Sequence, residues 1–232
     1  MTQEQLRIDL PRRSALGRDS FFVTPANDIA LALVEAPPRW PAHRLLLVGP
    51  AGSGKTHLAH VWAGQAKAKV LWANDLVHQD IPALAKCPLC IESVDAISGR
   101  TDAEEALFHL MNLMGVETRP LLMTARTSPT AWGLGLADLR SRIEATTLAR
   151  LDLPDDVLLS AVLSKQFADR QIVPADSVIP YLVTHMPRSF AAAGWLVDRI
   201  DTLALGTRGG ATRDKAITAL SDMDKAGLFQ EA

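Results

Sequence analysis

The sequence predicts an α/β protein with a parallel sheet, followed by an all-helical subdomain. Short apolar runs recur at 45–48, 70–73, 89–94, 121–125 and 146–153. Segments of helical character separate them, the spacing expected of a five-stranded parallel sheet between helices. After Pro154 no further strand candidate occurs, and 155–169, 175–185, 189–205 and 212–223 all read as helices.

Taken in order, residues 1–20 form a polar tail broken by Pro11 and Gly17. Residues 27–35 hold an apolar run that reads as a helix, stopped by Pro37 and Pro38. The run 45–48 ends in a Pro/Gly loop, as a buried parallel strand does, and a helix over 55–65 follows. Helix 102–114 sets Leu107, Leu110, Met111 and Met114 on one face, a core stripe. Asp155 and Asp156 supply acidic charge at a helix start, and Gly206, Gly209 and Gly210 separate the last two helices. The expected organisation is a tail (1–20), an α/β nucleotide-binding part (21–153) and a helical lid (154–232).

Composition excludes several classes. The 24 Lys and Arg against 26 Asp and Glu give a net charge of −2, without the basic excess of a module held to DNA by phosphate neutralisation. Two cysteines cannot staple a fold of 232 residues. The N-terminus has no apolar h-region and no apolar run is long enough to span a bilayer, so the expectation is a cytoplasmic protein without membrane contact.

The strongest motif is Gly49-Pro50-Ala51-Gly52-Ser53-Gly54-Lys55-Thr56, a complete G-x-x-x-x-G-K-[ST]. Its glycines let successive amides face phosphate oxygens at the positive end of the next helix. Lys55 is expected to bridge β- and γ-phosphates, and the Thr56 hydroxyl to hold magnesium. The strand 89–94 ends in Glu92, the acid expected beside that magnesium. The next position, where an ATPase orients its attacking water, is Ser93, a poor base at neutral pH. Asp95 lies beyond the expected register. The residues therefore predict nucleotide binding with weak hydrolysis.

Other patterns read blandly. Cys87-Pro88-Leu89-Cys90 lacks a second ligand pair for zinc, and Cys90 falls in a buried strand. His57 and His60 read as packing or surface residues, and the five tryptophans form no stacking array. On residues alone, Arg140 and Arg142 read as a solvated basic turn and Arg188 as a local partner at a helix start.

A resemblance adds to this. Lys55-Thr56-His57-Leu58, running on to Ala59-His60, resembles the P-loop helix of the replication initiator DnaA and its AAA+ relatives. In the same order, Asp138-Leu139-Arg140-Ser141-Arg142 resembles the family's arginine-finger segment and His185-Met186-Pro187-Arg188-Ser189-Phe190 its sensor-2 helix start. Arg213-Asp214-Lys215-Ala216-Ile217-Thr218 resembles the last AAA+ helix. The resemblance implies an AAA+ P-loop domain binding ADP or ATP with magnesium. It makes Thr124 sensor 1, Arg188 the lid cation reaching the phosphates, and Arg142 a finger aimed at a neighbour's nucleotide. By analogy it puts residues 21–27 beside the adenine.

The chain ends soon after that last helix, so the expectation is a protein without the initiator's helix-turn-helix domain and without sequence-specific DNA binding. The short regulatory inactivators of DnaA are similar in this respect, and they also depart at the position of Ser93. Gln5-Leu6-Arg7-Ile8-Asp9-Leu10 resembles the short peptide by which bacterial proteins engage the replicative sliding clamp, with Leu6, Ile8 and Leu10 entering an apolar groove and Gln5 hydrogen bonding. The expected partners are DnaA and the sliding clamp, with a homo-oligomer left open. Two alternatives stay open: an AAA+ ATPase whose own turnover does the work, such as a helicase loader or remodeller, or a passive adaptor tethering DnaA.

Overall fold

The computed structural model describes residues 27–205 and 210–228. The candidate clamp peptide, with Gln5, Leu6, Ile8 and Leu10, lies outside the described residues, as do residues 21–26.

Five strands form one parallel sheet in the order β2-β3-β4-β1-β5. They are β1 (Arg44–Val48), β2 (Lys69–Trp72), β3 (Leu89–Glu92), β4 (Leu121–Ala125) and β5 (Thr147–Arg150). The helices of this part are α1 (Asp28–Val34), α2 (Lys55–Ala66), a single turn α3 (Ile81–Leu84), α4 (Thr101–Val116) and α5 (Ala137–Glu144). Because neighbouring side chains on a strand face opposite ways, β1 divides its apolar residues between two cores. Leu45 and Leu47 pack with Ala30, Val34, Leu58 and Trp62 of α1 and α2. Leu46 and Val48 pack on the other face with Leu107, Met111, Leu139 and Ile143 of α4 and α5. Covering both faces is what a parallel sheet requires.

A separate core belongs to four helices, α6 (Asp156–Asp169), α7 (Val178–His185), α8 (Phe190–Ala204) and α9 (Arg213–Lys225). Its buried residues include Leu163, Phe167, Leu182, Leu196, Ile200 and Met223.

The strands and helices that the sequence predicts occur near their expected places, whereas the sequence does not predict α3 and α5, and β5 is shorter than 146–153; three differences are informative. Strand β3 stops at Glu92 because Ser93 turns into the left-handed region (φ 57°, ψ 51°). Helix α7 begins at Val178, not 175, because Pro174 forms a parallel bridge with Ala211, and the Ala175 amide donates to the Ala211 carbonyl at 3.0 Å. Helix α5 carries only Leu139 and Ile143 as buried residues, too few to show a period in the sequence.

Candidate functional site

Strand β1 delivers the chain into the glycine-rich loop, and the loop closes into α2. Gly52 (φ 79°) and Gly54 (φ 91°) take left-handed conformations that a side chain resists. The space is closed as well. A Cβ at Gly52 would meet the Ser189 hydroxyl at 2.5 Å, and one at Gly54 the Phe190 ring at 2.9 Å. The lid therefore rests directly on the loop, through the start of α8. The Phe190 amide donates to the Gly52 carbonyl at 3.3 Å, and Ser189 caps α8 by accepting from the Ala192 amide.

Helix α2 opens without a side-chain cap and without an acidic residue in its first turn. Its first amides and the positive end of its dipole thus face the loop, the arrangement that suits an anion. The Lys55 ammonium donates to the carbonyls of Gly49 (2.5 Å) and Pro50 (2.7 Å). Burial lowers its pKa, and the charge of Arg126 adds to the lowering, whereas Asp95 and Glu92 oppose it.

Beside the loop, Glu92 is buried at the end of β3 with both oxygens engaged. The Thr56 hydroxyl donates to one at 2.8 Å, and His60 Nε2 meets the other at 2.9 Å. Thr124 is the penultimate residue of β4, one strand over, and its hydroxyl accepts from the Ser93 amide at 3.1 Å. Asp95 accepts from the Arg126 amide at 2.9 Å, which occupies it in holding the chain beyond β4. A cleft of about 360 Å³ results. Gly52, Gly54, Lys55, Thr56, Ser93 and Thr124 line it; so do Arg126 and Phe190, along with Ala51, His57 and Trp72.

Of the expected site residues, Gly49, Pro50, Ser53 and Glu92 do not themselves line the cleft, and Arg188 and Arg142 lie elsewhere. Arg188 is not among the cleft-lining residues. Its guanidinium donates to Asp156 Oδ1 at 2.6 Å and to the Pro154 carbonyl at 3.2 Å, at the start of α6. Arg142 sits in the last turn of α5, near Arg44 at the opposite end of β1 from the loop. It stacks over the Phe108 ring at 5.0 Å. Burial first, then the neighbouring charge of Arg142, lower the pKa of Arg44, whose Nη1 is buried without a hydrogen-bond partner among the described residues. Arg140 donates to the Leu134 carbonyl.

The segment carrying both arginines is pinned by Glu104, a buried carboxylate that no local sequence pattern marks. It accepts from the amides of Gly99 (2.8 Å), Gly135 (3.2 Å) and Leu136 (2.8 Å). Burial alone would raise its pKa; the three amides and Arg140 outweigh that and hold it below the usual value. His60 also exceeds its sequence reading, since it bonds to Glu92 instead of merely packing. Helical spacing could have found it: it is four residues after Thr56, so both lie on one face of α2. Burial raises the Cys90 thiol, and no cluster of three or more His, Cys, Asp or Glu side chains gathers among the described residues.

No family model matches the chain. The chromosomal replication initiator protein DnaA of Symbiobacterium thermophilum is 24% identical over 218 residues, covering 85% of this chain and 47% of the relative. The chain spans about half the length of the curated relatives it matches. Among solved structures, domain III of Thermotoga maritima DnaA superposes with a TM-score of 0.76 at 20% identity, covering 92% of this chain and 98% of that one. The AMPPCP-bound DnaA from Aquifex aeolicus gives 0.69 at 19% identity, covering 89% and 68%.

Proposed function

Proceeding from a DnaA-related AAA+ domain, we propose that this chain binds an adenine nucleotide and regulates replication initiation in the manner of Hda, the regulatory inactivator of DnaA. In this reading it docks with the sliding clamp on ATP-bound DnaA and completes that site in trans, so that the initiator hydrolyses its ATP.

One observation carries the reading. The five residues of β1 join the loop to the end where Arg142 lies. At about 3.3 Å per residue, that separates Arg142 from its own cleft by more than a side chain's reach. A cation half-buried there, seated on Phe108 in the last turn of a helix, is held in place by packing and by the helix dipole. Such a cation is suited to a neighbour's phosphates.

In cis, the loop amides and Lys55 would hold the phosphates of ADP or ATP. Magnesium would neutralise phosphate charge there; the Thr56 hydroxyl and the Glu92 carboxylate are the oxygen donors that would hold it, directly or through water. His60 keeps Glu92 oriented. Ser93 supplies no base, and Asp95 is committed to the Arg126 amide, which favours slow turnover over an intrinsic ATPase.

The test is ATP hydrolysis by a DnaA partner, with and without this protein, clamp and DNA. Stimulation that needs all components supports the reading. A turnover of several per second by the isolated chain would favour the self-turning-over ATPase instead. Gln5→Ala with Leu6→Ala should abolish clamp binding and the clamp-dependent stimulation while leaving nucleotide affinity unchanged; equal clamp binding by that variant would remove the clamp from the account.

A further inference from the structure

The cleft holds a cation that neither the loop motif nor the lid provides. We propose that Arg126 is the side chain that reads the terminal phosphate in cis, and so sets the preference of this site for a nucleoside triphosphate over a diphosphate. The inference rests on the nucleotide-binding reading and deepens it.

Position comes first. Strands β4 and β1 are adjacent and in register, with Val48 opposite Ala125. The ladder continues one step further, the Gly49 amide donating to the Ala125 carbonyl at 3.2 Å. Arg126 therefore leaves the sheet level with the first residue of the glycine-rich loop. Ligands of open α/β sheets sit in the crevice beyond the carboxyl ends of such strands. The loop amides are expected around the α- and β-phosphates, which leaves the end of the neighbouring strand facing what lies beyond them.

Anchoring comes next. Asp95 Oδ2 receives the Arg126 amide at 2.9 Å, which fixes the backbone from which the side chain springs. The side chain itself is exposed, lines the cleft together with Lys55 and Thr124, and makes no ion pair among the described residues. Its charge is felt at Lys55, where it disfavours the ammonium. Two cations facing one cleft repel each other and gain from an anion between them. Arg188, the lid cation that the family resemblance assigns to the phosphates, is meanwhile held by Asp156 and the Pro154 carbonyl.

The side-chain type fits the task. A guanidinium presents a planar fork of donors that matches two phosphate oxygens at once, whereas Lys55 acts as a point charge. An extra phosphate brings both the charge and the oxygens that Arg126 needs; a diphosphate leaves it facing water.

The experiment is calorimetric titration of the wild-type chain, Arg126→Ala, Arg126→Lys and Lys55→Ala with AMPPCP and with ADP, each with magnesium. Arg126→Ala should weaken AMPPCP binding about tenfold, the size of one charge-assisted hydrogen bond, while ADP affinity changes by less than about threefold. Arg126→Lys should fall between, because it keeps the charge and loses the fork. Equal weakening of both nucleotides, or none of either, by Arg126→Ala overturns the proposal while wild-type binding leaves the nucleotide site standing. Failure of the wild-type chain to bind either nucleotide overturns both. Melting temperatures should coincide across the Arg126 variants, since the exposed side chain takes no part in the core.

Discussion

The two ends of β1 make an instructive pair. At the carboxyl end, Val48 runs into the glycine-rich loop, where the chemistry is contiguous: within one eight-residue motif, Ala51, Gly52, Gly54, Lys55 and Thr56 bring backbone, a cation and a hydroxyl to one cleft. At the amino end, Arg44 lies near Arg142, and nothing there is contiguous. Arg142 comes from α5, Phe108 beneath it from α4, and Glu104 holds the approach to α5 from below. The first end is built from backbone and is therefore written in the sequence. The second is built from packing, so its meaning emerges only when three distant segments meet. One strand thus separates a site that would keep its own nucleotide from a cation that would act on another's.

The largest expected effect falls at the carboxyl end. Lys55→Ala should weaken nucleotide binding by about two orders of magnitude or more, because it removes the ammonium from the loop mouth. The fold should survive, since the hydrogen bonds lost are to the loop's own carbonyls. Calorimetry and a melting curve check both halves; binding at wild-type strength would dissolve the distinction between the two ends.

Away from the loop, the larger stability effect belongs to Glu104, in the first turn of α4. Replacing it with alanine strips three backbone amides of their acceptor, at a cost of about 2–3 kcal/mol. The sign with pH follows from its lowered pKa. A carboxyl held below its ordinary value of 4.5 contributes stability above that value and loses it as pH falls through the folded value. Urea unfolding of wild type and Glu104→Gln should therefore differ most near neutrality, with the gap closing below about pH 4. A gap that stays constant into acid would mean the carboxylate is not favoured by its amides.

Gly54→Ala is a smaller perturbation at the loop. It combines a left-handed backbone at φ 91° with a clash against the Phe190 ring, for a loss of about 1–2 kcal/mol. Adding Phe190→Ala should recover the clash but not the backbone strain. Full recovery in the double variant would show that only the lid, and not the loop conformation, demands glycine.

The same contrast explains what the sequence made legible. The five strands were readable because each is a short apolar run with a turn beside it, and the glycine-rich loop because its function resides in backbone geometry that only certain residues allow. Glu104 was not readable: a glutamate in the first turn of a helix is ordinary, and two of its three amides, those of Gly135 and Leu136, come from a loop far along the chain. His60 and Arg126 were readable in part, one by its spacing from Thr56 and the other by following the strand beside the loop. Arg142 gained its candidate role from family resemblance alone; its seat over Phe108 has no trace in local sequence. The position of Arg188 beside Asp156 depends on how the lid helices pack, which no local pattern encodes.

The central claim is that the two ends of β1 serve two different nucleotides. The most direct measurement compares Arg142→Ala with wild type in two assays on the same preparation: affinity for its own nucleotide, and stimulation of ATP hydrolysis by a DnaA partner in the presence of clamp and DNA. The account predicts unchanged affinity together with a loss of stimulation on the order of 10³-fold, the size of a finger supplied in trans. Undiminished stimulation by Arg142→Ala, or a parallel loss of its own nucleotide, would contradict it.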